Sequence, residues 1–549
     1  MKKRYILLIF LIVSIAHTVT ATTSGSVILL AVTEGENSTG VTAGLDLTID
    51  KGTGEVYLNT YPLTKISTQL SLRVAKEQAC EELEVDCSQY NFYYTIRSPP
   101  GIVGGPSAGA ATALLTAQLL QNKTPTTSIA VTGSINSGGI IGPVGGYKEK
   151  IIAAGRMGIK KVMVPKGTIQ QENLTQTMQE TGVQIVEVGT LRQLMLNTTT
   201  YTPTRTTNAL IIPGSYATSM STVAENLCND TNEPINRTRM TELIRDGKYY
   251  SAASTCFREI IVIESKRLEN SSEQERRQLR EKLLIDAKNI IDEVKKDIPK
   301  TYADLQSNIA VEERATEVLK ELSNENVEAE KMAYLQERVR SAHAWKNLRD
   351  GAGKELTISQ GKIKESCEIK MGEAEELYAY LTSFYPGAAE RSKDTLERAD
   401  QNKKTGEYTL CIFNSIKAKA ELNTVLTSIG LTQESVKDVY KDKLEFGREQ
   451  VLKAIQRGYF PTLGYSYYEY AETLKDEPEI ALLYAEYALE YSKIDKVLNG
   501  GERLKSVATG TSLGVNNNGN MTRFNDKTVF FIVLSILVGI CIGYFVTRR

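Results

Sequence analysis

The chain changes its pattern of apolar and polar residues near residue 200. Before that point, short apolar runs of strand length alternate with segments whose apolar residues recur every three or four positions. This alternation predicts an α/β (or α+β) domain over residues 24–197. The predicted strands are 27–32, 45–49, 55–58, 92–96, 129–132, 161–164 and 183–188, and the predicted helices are 68–83, 147–157 and one that begins at about Ser107 and ends near Leu120.

A turn with the sequence Gly52-Thr53-Gly54 separates two of these predicted strands. A short glycine-containing turn between two strand-like runs is typical of a β-hairpin. We therefore expect the run 55–58 to pair with the run 45–49.

The second half, residues 222–500, is rich in charged residues, has helical periodicity and contains few strand signals. Three of its segments, 246–256, 405–411 and 484–491, each combine tyrosines with small residues at helical spacing. This resembles the helix pairs of tetratricopeptide repeats. The likeness fixes no period, which favours the other interpretation, an irregular helical bundle whose tyrosines lie in the core or in a groove.

Four further segments predict how these two regions are connected and where the chain lies relative to the membrane. Residues 198–221 are threonine-rich and contain two prolines, which predicts a linker, and residues 501–527 predict a flexible spacer. Residues 1–21 have the basic start, apolar stretch and small residues of a signal peptide or an N-terminal anchor. The apolar run 529–546, followed by Arg548 and Arg549, predicts a transmembrane helix over 528–547 with its arginines in the cytoplasm. We expect everything between the two ends to lie outside the cytoplasm.

Cysteines and glycosylation sequons agree with export. Of seven cysteines, Cys541 lies in the apolar run 529–546, and the other six make an even number that predicts disulfides in an oxidising compartment. Six cysteines allow fifteen connectivities, and proximity in sequence favours Cys80–Cys87, Cys228–Cys256 and Cys367–Cys411. The sequon asparagines are Asn37, Asn122, Asn173, Asn197, Asn229, Asn236, Asn270 and Asn520.

The composition and motifs of the chain argue against nucleic acid, a metal ion and ATP as partners or cofactors. With 65 basic and 66 acidic side chains, the charge is balanced and no basic patch indicates nucleic acid. No cysteine pair has the spacing of metal ligands and there are two histidines, so we expect no metal site. The segment 351–354, Gly-Ala-Gly-Lys, lacks the upstream glycine of a P-loop and is followed by Glu355, so we expect no ATP and no other cofactor.

The segment GGPSAG, residues 104–109, is the strongest candidate for chemistry. It places Ser107 in the first turn of a helix, where free N–H groups and the helix dipole favour a developing negative charge. The N–H groups of Gly105, Ser107 and Ala108 are candidates for an oxyanion hole, whereas Pro106 has none. A nucleophilic serine also needs a base.

Few residues of the chain could act as the base for Ser107. His17 lies in the apolar leader and His343 lies in a charged helical segment without other signs of a site. A lysine is therefore the better candidate, because burial can keep its amine neutral.

GPSAG, followed by TGS, GPVGGYKEKIIAA and GIKKVMVP, resembles the proteolytic domain of Lon-type serine peptidases. The resemblance runs from about residue 24 to about residue 194 and implies a Ser/Lys dyad. It implies that Ser107 is the nucleophile, that Lys148 is the general base and that Thr132 supports the lysine. The neighbouring Lys150 is interpreted as a solvated lysine.

Two positions depart from the family pattern. Many members carry an acidic residue at the position of Gly104 and a glutamate at the position of Ser134. These departures leave open the alternative of an inactive Lon-type domain used as an exported scaffold. A second alternative is an interaction protein that works through its helical half, with the first domain as a ring-forming platform.

The missing P-loop separates this chain from Lon proteases that carry an ATPase module. The resemblance then implies ATP-independent, membrane-anchored cleavage of flexible or unfolded polypeptides. Because domains of this type often form hexameric rings, it also implies a homo-oligomer.

Overall fold

The computed structural model describes residues 22–498, except 34–37, 100–103, 200, 204–208, 230–236, 298, 347, 349–354, 356–358, 384 and 386. The predicted leader (1–21), spacer (501–527) and transmembrane helix (528–547) lie outside the described residues, as do Cys541 and the segment 351–354. Within the described part of the chain, no helix combines the length and the apolar character needed to cross a membrane.

The described residues form two compact units. The first unit comprises the residues up to Ile135 together with Val144–Tyr201, and the second comprises Asn136–Pro143 together with the residues from Thr202 onward. The segment Asn136–Pro143 therefore belongs to the second unit, although the residues on both sides of it in sequence belong to the first.

A seven-stranded sheet forms the centre of the first unit, and a two-stranded sheet continues into Asn136–Pro143. Buried and half-exposed residues alternate along the second strand of the large sheet, as expected for a strand with one face in the core. Leu45, Leu47 and Ile49 are buried, and the residues between them are half-exposed. The strands are β1 Thr23–Val32, β2 Gly40–Lys51, β3 Val56–Tyr61, β4 Tyr90–Arg97, β5 Ile129–Val131, β6 Ser134–Asn136, β7 Ile140–Gly142, β8 Lys161–Pro165 and β9 Gln184–Val188. The order in the large sheet is β3-β4-β2-β1-β5-β8-β9, and β6 pairs with β7.

Helices pack on this sheet, which confirms the predicted α/β class. The strands β1, β5, β8 and β9 are parallel neighbours, and β1, β2 and β4 are antiparallel neighbours. All the predicted strands and helices of this unit are present, with ends shifted by a few residues. The helices are α1 Ile66–Leu83, α2 Gly109–Leu120, α3 Tyr147–Arg156, α4 Thr168–Gln171, α5 Thr175–Thr181 and α6 Leu191–Thr198, and 3-10 turns lie at Cys87–Gln89, Pro106–Ala108 and Ser137–Gly139.

The predicted hairpin between β2 and β3 is wrong. Strand β4 lies between them, antiparallel to β2 and parallel to β3. The turn that suggested a hairpin is bonded to the start of β4 instead: Gly54 N donates to Tyr90 O at 3.0 Å, and Thr53 N donates to Asn91 Oδ1 at 2.9 Å. The helix α1 then connects β3 to β4, as in other parallel crossover units.

The second unit is helical, as predicted. One buried cluster runs from Tyr216 to Leu498, so its helices share a core. Tyr487 and Tyr491 of the segment 484–491 are buried in that core, which confirms their interpretation as core residues. The helices are α7 Gly214–Asn229, α8 Arg237–Arg245, α9 Tyr249–Glu269, α10 Glu273–Lys295, α11 Tyr302–Glu321, α12 Ala329–Lys346, α13 Gln360–Thr382, α14 Glu390–Lys404, α15 Tyr408–Ser428, α16 Gln433–Gln456, α17 Thr462–Thr473, α18 Pro478–Tyr491 and α19 Ile494–Leu498.

The predicted linker 198–221 is too long. Helix α7 begins at Gly214, directly after Pro213, and its residues Tyr216 and Met220 are fully buried. Threonine-rich composition suggested a loop, but these two apolar side chains at helical spacing belong to the core of the second unit.

Three disulfides join the pairs that proximity in sequence favours. They are Cys80–Cys87 in the first unit, and Cys228–Cys256 and Cys367–Cys411 in the second. The last two connect helix α7 to α9 and helix α13 to α15.

Replacing Cys367 and Cys411 by alanine is expected to lower the free energy of unfolding of the second unit by about 2–4 kcal/mol, because the bridge limits the conformations of the unfolded chain. Urea unfolding of the purified chain, with and without reductant, measures this effect. Reductant should have a smaller effect on the double variant than on the parent protein. Equal unfolding curves for the two proteins under oxidising conditions would contradict the prediction.

Candidate active site

Ser107 lies in the 3-10 turn Pro106–Ala108, which leads directly into helix α2. The side chain is half-buried and so remains accessible. Neighbouring side chains hold this turn: Ser71 Oγ donates to Pro106 O at 3.3 Å, and Gly105 N donates to Thr68 Oγ1 at 3.1 Å. Helix α1, which carries Ser71 and Thr68, therefore fixes the approach to Ser107.

The same turn is joined to the TGS motif through Gly133. Gly133 N donates to Ser107 O at 3.2 Å, and Ala110 N donates to Gly133 O at 3.0 Å. Thr132 precedes Gly133 and is fully buried, and its hydroxyl has no hydrogen-bond partner among the described residues. The structure thus brings the segments of Ser107 and Thr132 together and leaves an unused buried hydroxyl beside them.

The lysine-bearing helix α3 begins after the left-handed Gly146. Gly146 has a φ of 72°, and a Cβ at this position would lie 2.7 Å from Val32 Cγ1, so the turn into α3 requires glycine. The Gly146 carbonyl accepts the N–H of Lys150 at 3.1 Å. The helix then buries Tyr147, Ile151 and Ala154 in one cluster with Ala130 of β5.

Lys150, not Lys148, has the environment of a general base. Lys150 is 2% exposed, and its Nζ lies 5.9 Å from the centre of the Tyr147 ring. Burial lowers the pKa of its ammonium group from 10.5 to about 8, and the carboxylate of Glu149 opposes this shift. The side chain of Lys148 is exposed to solvent.

The interpretation of Lys150 as solvated is therefore wrong, because its side chain is buried, whereas the assignment of Lys148 as the base stays a prediction. Lys150 shares the buried face of α3 with Tyr147, Ile151 and Ala154, at the i, i+3, i+4 and i+7 spacing of an amphipathic helix. That spacing is visible in the sequence and could have identified it. Among the described residues, no hydrogen bond joins Ser107 Oγ to either lysine, as is common before substrate binds.

The three oxyanion-hole candidates are not equivalent. Gly105 N already donates to Thr68 Oγ1, which makes it the weakest of the three candidates. Ser107 occupies the second position of the 3-10 turn, where the helix geometry leaves an N–H without an intrahelical acceptor. Ala108 follows as the N-cap residue of α2. The N–H groups of Ser107 and Ala108 are thus the stronger candidates.

The departure at Gly104 has a steric cause. A Cβ there would lie 2.9 Å from both the backbone N of Lys65 and Thr68 Oγ1, so an acidic side chain has no room without a shift of α1. The departure at Ser134 lies in β6, where the serine is buried. A glutamate there would bring a buried charge that needs compensation.

Gly40→Ala is expected to impair both stability and activity, because the first turn of α3 packs directly on the start of β2. An added Cβ would lie 1.8 Å from the carbonyl oxygen of Glu149, the residue before Lys150. We expect a loss of about 1–3 kcal/mol in the free energy of unfolding, together with slower modification of Ser107 by a serine-reactive phosphonate. Urea unfolding and labelling kinetics measure the two effects.

Gly44→Ala is the matched control for this change. It lies in the same strand, and an added Cβ would meet nothing within 4 Å. Similar behaviour of the two variants would show that the contact between β2 and α3 does not position Lys150.

Comparison with known proteins finds relatives of the region that contains this site. Residues 19–199 match the family model of the Lon protease (S16) C-terminal proteolytic domain. The chain is 43% identical over 104 residues to the Lon protease of Paraburkholderia phytofirmans, covering 18% of this chain and 13% of that protein. It is 33% identical over 150 residues to the Lon protease of Syntrophomonas wolfei, covering 24% and 18%. It is 43% identical over 70 residues to a peroxisomal Lon protease homolog 2 of Xenopus laevis, covering 12% and 8%.

These matches are confined to one domain. The chain spans between 9% and 16% of the length of the first curated relatives it matches. The family match ends at residue 199, just before Thr202, where the larger part of the second unit begins. Residues 19–199 are therefore a Lon-type (S16) proteolytic domain, the serine-endopeptidase domain of Lon proteases.

Proposed function

We propose that this chain is an ATP-independent serine endopeptidase in which Ser107 is the nucleophile and Lys150 is the general base. The observation that carries the proposal is the burial of Lys150, which lowers the pKa of its amine to about 8 in a Lon-type proteolytic domain. A lysine in this range is partly neutral near physiological pH and can accept the proton of a serine hydroxyl.

The proposed reaction is acyl transfer from a peptide to Ser107. As Ser107 Oγ attacks the peptide carbonyl, its proton passes to the neutral amine of Lys150. The N–H groups of Ser107 and Ala108 stabilise the oxyanion of the tetrahedral intermediate. The Lys150 ammonium group then donates its proton to the departing amine, and water attacks the resulting ester in the reverse sequence of proton transfers.

Thr132 has a supporting role in this proposal. Its buried hydroxyl, which has no partner among the described residues, can accept an N–H of the Lys150 amine. Such a bond would hold the amine lone pair towards Ser107. An unpaired buried hydroxyl costs about 1–3 kcal/mol, which is consistent with a group reserved for the working state of the site.

The proposal extends to location and anchoring. Three disulfides in the described residues support an oxidising compartment, as does the exposure of the described sequon asparagines. The apolar runs near both ends of the sequence support export and a C-terminal membrane anchor. The exposed sequon asparagines are Asn122, Asn173, Asn197, Asn229 and Asn270.

The substrate class follows from the absence of a P-loop in the sequence. Without an ATP-driven unfolding step, cleavage is limited to flexible or already unfolded polypeptides. We also propose a homo-oligomer, in line with the ring-forming habit that the family resemblance implies.

Labelling with a biotinylated peptide phosphonate tests the catalytic proposal. The purified full-length chain, in detergent and without ATP or metal, is expected to be modified at Ser107, as read by peptide mapping. Complete resistance to the probe in a sample whose three disulfides are intact would favour the alternative of an inactive exported scaffold.

Protease digestion of intact cells or spheroplasts tests the location. An added protease is expected to degrade the bulk of the chain while a cytoplasmic control protein stays intact. Protection of the chain until the cells are lysed would reverse the proposed orientation.

A further inference from the structure

The segment Asn136–Pro143, which lies in sequence between Thr132 and Lys150, packs with the helices of the second unit. Ile140 is buried in one cluster with Phe446 of α16 and Leu489 of α18. At Gly138, which has a φ of 73°, an added Cβ would lie 3.3 Å from Leu489 Cδ1. Helices α16 and α18 therefore contact this segment closely.

Lys443 of α16 holds the main chain of this segment. Its side chain is fully buried, its Nζ donates to the carbonyl oxygen of Ser137, and it pairs with Glu486 Oε2 at 2.6 Å. Glu486, also fully buried, accepts from Asn423 Nδ2 at 2.9 Å through its other oxygen. The side chains of Asn136 and Ser137 are buried, but Asn136 Nδ2 and Ser137 Oγ make no hydrogen bond within the described residues.

A buried ion pair is weak evidence for a role in stability. The cost of removing both charges from water can exceed their attraction, and apolar replacements of a whole pair are often neutral or stabilising. Lys443 differs from an ordinary pair because it also binds a backbone carbonyl in the segment that connects the Thr132 and Lys150 motifs. The Lys443 side chain therefore both binds the main chain of that segment and neutralises the charge of Glu486.

We propose that Lys443 is a positioning residue for proteolysis, which it supports by fixing the Asn136–Pro143 segment through the Ser137 carbonyl. The inference rests on the proposed function of Ser107 and Lys150. The segment continues at one end into the residues after Thr132, and at the other end into the turn before Lys150. A shift of the segment would move either group relative to Ser107, and misplacement by about 1 Å can cost about 100-fold in rate.

The main test is the double variant Lys443→Met/Glu486→Gln in the full-length chain. It removes both charges, so no unpaired charge is left buried, and it keeps an acceptor for Asn423. It also removes the bond to the Ser137 carbonyl. We expect a melting temperature close to that of the parent, kcat lower by about tenfold or more with little change in KM, and slower labelling of Ser107.

Two comparison variants separate positioning from folding. Glu486→Gln alone leaves the Lys443 ammonium group poorly compensated but still bonded to Ser137, so it should lose more stability than the double variant while keeping a higher kcat. Arg457→Met/Asp495→Asn removes a bidentate pair near the end of α16, with N–O distances of 2.5 and 2.7 Å, and leaves the bond between Lys443 and Ser137 in place. It should leave kcat unchanged.

A readout that needs no turnover makes the two proposals distinguishable. The pH dependence of Lys150 acylation, followed by peptide mass spectrometry, reports the pKa of its amine. If the loosened segment displaces the turn before Lys150, so that the amine is less buried, the pKa of Lys150 should rise towards its ordinary value of 10.5 in the double variant. A parent protein without cleavage or labelling would contradict the proposed function, while this pKa shift would still support the positioning role. A double variant with the parental kcat and the parental Lys150 pKa would overturn the inference.

Discussion

Lys150→Met is expected to abolish cleavage while making the fold more stable. Removing the general base should lower kcat by about 100-fold to 10,000-fold. The folded chain lowers the pKa of Lys150 from 10.5 to about 8, so the unfolded chain binds more protons between these values and stability rises with pH through that window. At pH 7 the full cost of this shift, about 3 kcal/mol, is present, and a neutral methionine avoids it. Peptidase assays and urea unfolding at pH 7 measure both effects.

Lys148→Met is the matched control. Lys148 lies two residues away on the same helix but is exposed, so its replacement should change activity and stability little. Loss of activity in Lys148→Met with a fully active Lys150→Met would return the role of base to Lys148.

Ser107→Ala is expected to lower kcat by about 10,000-fold or more and to prevent phosphonate labelling, because the acyl-enzyme cannot form. The side chain is half-buried in a turn held by main-chain bonds, so the fold should be retained. Cleavage of an unfolded polypeptide, followed by mass spectrometry, measures the effect.

Ser26→Ala, a change at an exposed serine in β1, serves as the control for Ser107→Ala and should be fully active. Cleavage that survives Ser107→Ala in a purified, disulfide-intact sample would exclude Ser107 as the nucleophile.

The sequence predicted the first unit well because its signals are local. The alternation in β2 and the helical spacing in α1 lie within single elements. Strand pairing is not local, so the glycine turn suggested a β2–β3 hairpin that the structure replaces with an inserted β4. Gly54 and Asn91 explain the difference, since the turn amides are bonded to a strand that follows much later in the sequence.

The candidate site was predicted in part. Ser107 and Thr132 lie in motifs whose segments the structure brings together through Gly133. The interpretation of Lys150 as solvated was wrong because Lys148 and Lys150 both belong to the KEK sequence, and the motif itself does not show which of them is buried. The face of α3 does show it, since Lys150 shares the stripe of Tyr147 and Ile151.

The role of Lys443 could not be predicted from the sequence at all. It lies far from Ser137 along the chain, and a lysine in a charged helix normally faces solvent. The apolar residues Ile140, Phe446 and Leu489 likewise belong to segments of different periodicity, so no local pattern connects them. Long-range contacts of this kind require the structure.

The most direct test of the Ser107/Lys150 dyad is the pH dependence of Ser107 labelling in the parent chain, in Lys148→Met and in Lys150→Met. If neutral Lys150 activates Ser107, the labelling rate of the parent should rise about tenfold per pH unit below pH 7 and level off above about pH 8. Lys148→Met should show the same profile, and Lys150→Met should be labelled slowly without this rise. A parental profile in Lys150→Met would contradict the dyad.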